Sequence, residues 1–187
     1  MRSACLKIRI AALLAALCAL ALGAAPAAHA TRACDSAKAV PSKAAKRTIV
    51  RATLCLLNAQ RSRHGLRPLR INRRLSAAAR RHADDMARHK YFDHTSQSGA
   101  TFIDRIRDAG YLRGAHSWTV GENIAWGTGR LSSPSAIVRA WMNSPGHRAN
   151  ILNARFREIG LGVAYEAPIR GRWTPAGTYA TDFGARG

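Results

Sequence analysis

The spacing of inward-facing residues changes once along this chain, and that change limits its folds more than any other feature. Through most of its length these positions recur at steps of three and four: Val50, Leu54 and Leu57; then Leu75, Ala79, His82, Met86 and His89; then Phe102 and Ile106; then Ile137, Val138, Trp141 and Met142. Such steps put one stripe along the side of an α-helix. From Ile159 the step becomes two, through Leu161, Val163 and Tyr165, and again at Tyr179, Thr181 and Phe183. That is the pattern of half-buried strands. Helices first and hairpin-type strands last, with no βαβ alternation, point to an α+β fold rather than a parallel α/β sheet.

Local signals bound these elements. A first helix is expected from Ala44 to His64, stopped by Gly65, and a second from Asn72, a good N-cap. A third runs from about Thr101 to Ala109, before Gly110, and a fourth opens on Ser133-Pro134 and ends before Pro145. The segment from Trp118 to Ile124 reads as a short strand or an extended loop. On the second helix, His82 and His89 are read as partly buried, hydrogen-bonded packing residues rather than ligands. Trp118, Trp126 and Trp141 are assigned first to core or cleft walls rather than to sugar-stacking platforms.

The N-terminus bears on compartment. Arg2, Lys7 and Arg9 precede an apolar run from Ile10 to Leu22, and Ala28-His29-Ala30 supplies a small-residue cleavage pattern. The run is too short to span a bilayer, which takes roughly 20 residues. Residues 1–30 are therefore expected to be a signal peptide, 31–43 a polar lead-in, and 44–187 one domain of a secreted, extracellular protein. No transmembrane segment is expected in the mature chain.

The formal charge is +20, and losing three basic residues with the leader leaves +17. Ten Lys or Arg fall between Arg61 and Lys90 against only Asp84 and Asp85. This charge attracts polyanions in a salt-dependent way, so the expected partner is an anionic envelope surface, lipid head groups or wall polymers. The bland alternative is a solvated basic surface. Nucleic acid is not indicated, because no aromatic-interleaved basic platform or recognition helix is present. Of four cysteines only Cys34 and Cys55 would survive cleavage. In an exported protein that pair reads as one disulfide, stabilising by roughly 3 kcal/mol in the chain-entropy picture.

Four motifs stand in one order: Phe92-Asp93-His94-Thr95-Ser96, Gly121-Glu122-Asn123-Ile124-Ala125, Trp141 through Leu152 with Asn143-Ser144-Pro145-Gly146-His147, and Ile159-Gly160-Leu161-Gly162-Val163. Together they resemble the bacterial branch of the CAP superfamily, which includes cysteine-rich secretory proteins, venom allergens and pathogenesis-related plant proteins. The resemblance covers about 49–184. It implies a three-layer α-β-α sandwich with a central antiparallel sheet. It also implies a cleft where two histidines meet two acids: His94 and His147 match the histidines and Glu122 the acid beside Asn123. Where many eukaryotic relatives carry the second acid, this chain has Ser144.

Two imidazoles and a carboxylate suit a divalent cation such as zinc and leave a coordination position open; His94, Glu122 and His147 are the candidate ligands. Ser144 beside His147 suggests a nucleophile and base, but Ser144-Pro145 reads more simply as a helix cap. Asp93 reads as a loop-closing side chain. No residue is assigned a catalytic role. The function expected is an extracellular binding module with an unidentified cleft ligand; the alternative is a metal-dependent hydrolase acting on peptides or wall material.

Overall fold

The computed structural model describes residues 34–42 and 45–187; the expected leader and its cleavage pattern lie outside the described residues. In order come α1 (Lys46–Arg63), β1 (Arg70–Ile71), α2 (Arg73–His89), α3 (Phe102–Asp108), β2 (Trp118–Thr128), a 3-10 turn (Gly129–Ser132), α4 (Pro134–Asn143), α5 (Pro145–Ile151), β3 (Glu158–Ala164) and β4 (Ala176–Arg186).

The helix boundaries follow their caps. Asn72 Oδ1 accepts the backbone N–H groups of Arg74 and Leu75 to start α2, which ends on Lys90 in the left-handed conformation at φ 57°. Thr101 and Asp104 form a reciprocal capping box at α3. Ser133 and Ser144 take extended N-cap backbone ahead of Pro134 and Pro145, yet neither side chain caps. Ser133 Oγ bonds the Arg130 carbonyl instead, and Ser144 Oγ bonds His147.

The sheet order is β1-β3-β4-β2. β2, β4 and β3 are antiparallel neighbours, as expected for the central sheet. The two-residue β1 adds a parallel edge beside β3, which makes the sheet mixed. β2 is also longer than its local pattern suggested, because β4 pairs with it from Trp118 to Thr128.

Helices cover both faces. α2 packs on β3 and β4, while α1, α4 and α5 pack on the other side. Alternation along β3 explains the arrangement. Ile159, Leu161 and Val163 join Ile49, Leu57, Trp141, Tyr179 and Phe183 in the larger core, each aliphatic side chain contributing roughly 1.5–3 kcal/mol by burial. The glycines between them face α2 at backbone contact. A Cβ on Gly160 would overlap the Leu75 carbonyl carbon, and one on Gly162 would overlap the Ala79 oxygen. The Gly-x-Gly spacing therefore lets a helix sit directly on the sheet.

Two expectations for the basic stretch change. Arg61 is fully buried rather than part of a basic surface, and its guanidinium donates to the carbonyls of Arg67, Ile151, Asn153 and Phe156. It thereby satisfies the end of α5 and the turn into β3. His89, expected to pack, is exposed and pairs with Asp85 one turn back. Cys34 is joined to Cys55 of α1 by a disulfide.

Candidate functional site

The site forms over the free edge of β2. Alternation along that strand sends Glu122 toward α2 and α3, and sends Asn123 toward α5. Asn123 Nδ2 donates to the His147 carbonyl (3.0 Å), and Asn150 Nδ2 donates to Asn123 Oδ1 and to the Glu122 carbonyl. Trp141 Nε1 donates to the Ile124 carbonyl. These bonds occupy outward carbonyls of an edge strand and pin α4 and α5 beside it.

His94 arrives from the loop after α2, and Arg105 of α3 holds that loop. Its guanidinium donates to the His94 and Ala100 carbonyls, to Ser96 Oγ, and to Glu122 Oε2 at 2.8 Å. His82, buried and bonded as expected, fixes the same loop from beneath: its Nε2–H donates to the Asp93 carbonyl at 2.9 Å. Asp93 Oδ1 accepts the Thr95 N–H, closing the turn.

Glu122 is the centre of this network. Its side chain is 1% exposed. Oε1 accepts from His94 Nδ1 (2.8 Å) and Oε2 from Arg105. Burial alone would push this carboxyl up; the His94 hydrogen bond, Arg105 and His82 together outweigh it and hold it below the ordinary range. An ionised Glu122 only accepts, so His94 Nδ1 carries a proton, which leaves Nε2 as the ring nitrogen free to face a ligand. The His94 side chain is 49% exposed. The His147 ring lies 6.5 Å from it, centroid to centroid, with Nδ1 on Ser144 Oγ at 2.9 Å. Burial, then the neighbouring His94, push the His147 imidazole down and favour its neutral form.

Sequence reasoning missed two members. Arg105 looks like one more surface arginine on a helix, and nothing local marks its burial. Asp182 of β4 stands directly across from Glu122. It is buried, and no donor among the described residues reaches either of its oxygens. Burial, then the Glu122 charge, drive its pKa well up, and once protonated it can itself donate toward Glu122. One signal could have exposed it: Asp182 shares the helix-facing side of β4 with Ala180 and Gly184, where alternation calls for small, uncharged residues.

As for a metal, among the described residues no three His, Cys, Asp or Glu side chains form a ligand cluster. The donor chemistry fits a cation through two residues. His94 and His147 each have Nδ1 in a hydrogen bond, which leaves Nε2 as the nitrogen for a ligand. Both oxygens of Glu122 are already engaged, so its place is behind His94, as the carboxylate that orients a ligating imidazole.

The sequence matches the model of the cysteine-rich secretory protein family, CAP, over residues 54–175. It is 42% identical to the uncharacterized Bacillus subtilis protein YkwD over 119 residues, 64% of this chain and 42% of that one. A second relative, the uncharacterized B. subtilis membrane protein YlbC, is 34% identical over 59% of this chain and 30% of its own length. The chain thus spans less than half the length of these relatives. Among solved structures, an extracellular SCP-domain protein of Bacillus anthracis is 30% identical with a TM-score of 0.58, covering 73% of this chain and 40% of that one. An outer surface protein of Borrelia burgdorferi shares the fold at a TM-score of 0.60 and 21% identity, covering 79% and 97%.

Proposed function

The chain belongs to the cysteine-rich secretory protein (CAP) family, and from that premise we propose that it works outside the cell as a binding module. Its cleft presents the imidazoles of His94 and His147 to a ligand, with a divalent cation such as zinc as the group the pair would hold. Export is supported by the expected leader and the Cys34–Cys55 disulfide, and among the described residues no helix is long and apolar enough to cross a membrane.

One observation carries the choice of binding over hydrolysis: Glu122 has both oxygens occupied and a buried side chain. A hydrolase cleft needs a base within reach of the proton it removes. Here one carboxyl is committed to His94 and Arg105, and the other, Asp182, lies buried behind it. Diverging pKa values in a carboxyl pair often mark acid–base sites, but neither of these reaches the surface. Two imidazole nitrogen donors leave a bound cation open positions for an anionic ligand.

The second reading, hydrolysis, draws on the Ser144–His147 hydrogen bond. Among the described residues, no group orients His147 through its other nitrogen. Purified protein, with and without added zinc, should retain labelled wall fragments or peptides without cleaving them. Zinc-dependent turnover that disappears in Glu122→Gln would reverse the assignment.

A further inference from the structure

One end of the sheet gathers positive charge. β1, β2 and β3 begin there and β4 ends there. The register places Arg70, Arg157, Arg186 and Trp118 at that end, with Arg67 just before β1. Two recesses result, sharing Ala185 and Arg186 as their common wall. One, of about 460 Å³, is lined by Arg67, Arg70, Arg157, Glu158 and Arg186. The other is lined by Trp118, Arg155 and Arg186. The larger lies within the size range of about 300–1,000 Å³ common to ligand pockets.

Five arginines line the two recesses against one acidic side chain. None of the five forms an ion pair among the described residues. Arg157 donates to the carbonyls of Ala154 and Phe156. Arg186 donates to the Tyr111 carbonyl and lies over the Tyr111 ring. Glu158 is the sole acidic side chain in either wall, and neutral donors occupy its oxygens: Asn72 Nδ2 on Oε1 and Tyr111 Oη on Oε2. The arginines are therefore left to an outside anion, for which their forked donors suit phosphate or sulfate. Trp118 is 45% exposed and lies at the start of β2, away from the imidazole cleft, which corrects its assignment to core or cleft wall and sets an aromatic face beside them.

We propose that this end of the sheet is a second binding site, for an acidic glycan whose sugar rings carry phosphate or sulfate esters. It stands apart from the imidazole cleft, since Glu122 is four residues, about 13 Å, further along β2, and it does not rest on the cleft's function. Two adjoining basic recesses match a repeating anion better than a single ion. A lone indole face suits a sugar ring between two charges, where a nucleic-acid strand calls for successive stacking side chains. Concave arginine walls do not suit a flat membrane surface.

The test is titration with dextran sulfate, dextran phosphate and neutral dextran across a range of salt. Wild type should bind at least one ester and not neutral dextran, and the tighter ester identifies the preferred substituent. Arg67→Ser with Arg70→Ser, both exposed, should weaken binding about tenfold and reduce the log–log salt slope by about 1.4–1.8. Arg47→Ser with Arg80→Ser, exposed elsewhere, should change affinity less than about twofold by the same counterion argument. Trp118→Ala should weaken binding without altering the slope. Equal losses in the two arginine pairs would reduce the effect to net charge and overturn the site. An unchanged affinity in Trp118→Ala would overturn the glycan assignment. So would tighter binding of a dT oligomer, or of phosphatidylglycerol vesicles, with the same dependence on the Arg67 and Arg70 pair.

Discussion

Removing the charge of Glu122 should destabilise less than its burial suggests, because Asp182 can take its place. Glu122 and Asp182 are cross-strand partners, and the Glu122 charge helps keep Asp182 protonated. Arg105 lies within electrostatic reach of both carboxyls. Breaking a buried ion pair by removing one partner typically costs about 3–5 kcal/mol, since the other charge is left uncompensated. Burial, the larger cause of the raised Asp182 pKa, persists in Glu122→Gln, but the like charge is gone and Arg105 is left unpaired. Arg105 should then outweigh burial, so that Asp182 loses its proton and faces Arg105. That variant should lose only about 1–2 kcal/mol at pH 7, in the range of one charge-assisted hydrogen bond. Asp182→Asn alone should change stability by less than about 1 kcal/mol, because it replaces a carboxyl that is already neutral. The double variant has neither of these carboxylates for Arg105 and should show the full loss of about 3–5 kcal/mol. Urea unfolding of the four proteins at pH 7 measures the coupling. Additivity within about 0.5 kcal/mol would refute the substitution of one acid for the other.

Gly162→Ala should destabilise by on the order of 3 kcal/mol, because its Cβ would meet the α2 backbone rather than a side chain that can turn away. Thermal unfolding compared with Gly146→Ala, where nothing lies within 4 Å, isolates the clash. His82 and His147 both have lowered pKa values, with burial the leading cause in each. The unfolded chain therefore binds their protons first, so their contribution is complete above about pH 6.5 and is lost as pH falls below it. Urea midpoints should drop between pH 7.5 and 5.5, and the drop should shrink in His82→Gln; an identical drop in that variant would exclude His82 as a source. Replacing Cys34 and Cys55 together by serine should lower stability by about 3 kcal/mol, the chain-entropy value for a loop of this length. An unchanged thermal midpoint would mean that the bridge does not restrain the unfolded chain.

Much of this architecture is legible because it depends on local chemistry. Asn72 caps α2, Gly65 and Gly110 end helices at positive φ, and the period-two runs of Ile159–Val163 and Tyr179–Phe183 mark β3 and β4. The four ordered motifs also bring His94, Glu122, Asn123 and His147 to one edge strand. What stays hidden depends on partners far away in the chain. The reach of β2 to Thr128 follows from pairing with β4, and the two residues of β1 are a strand only because β3 lies beside them. Burial of Arg61 and Arg105 is likewise tertiary: each guanidinium meets carbonyl or carboxylate oxygens that no sequence spacing announces. Ser144 shows the opposite error. Its Ser-Pro signal places the N-cap backbone correctly, but the imidazole of His147, three residues on, takes the hydroxyl from the cap.

The measurement closest to the central claim is calorimetric titration of zinc into wild type, His94→Ala, His147→Ala and Ser144→Glu at pH 7.5 and 5.5. Wild type should bind one ion at pH 7.5 and weaken at pH 5.5, as protonation of the imidazoles competes. Each alanine variant should weaken binding at least about tenfold, the range expected for loss of a group supporting a metal. Ser144→Glu should tighten it by adding an anionic oxygen beside His147. Equal affinity in wild type and both alanine variants would contradict an imidazole cleft that holds a cation.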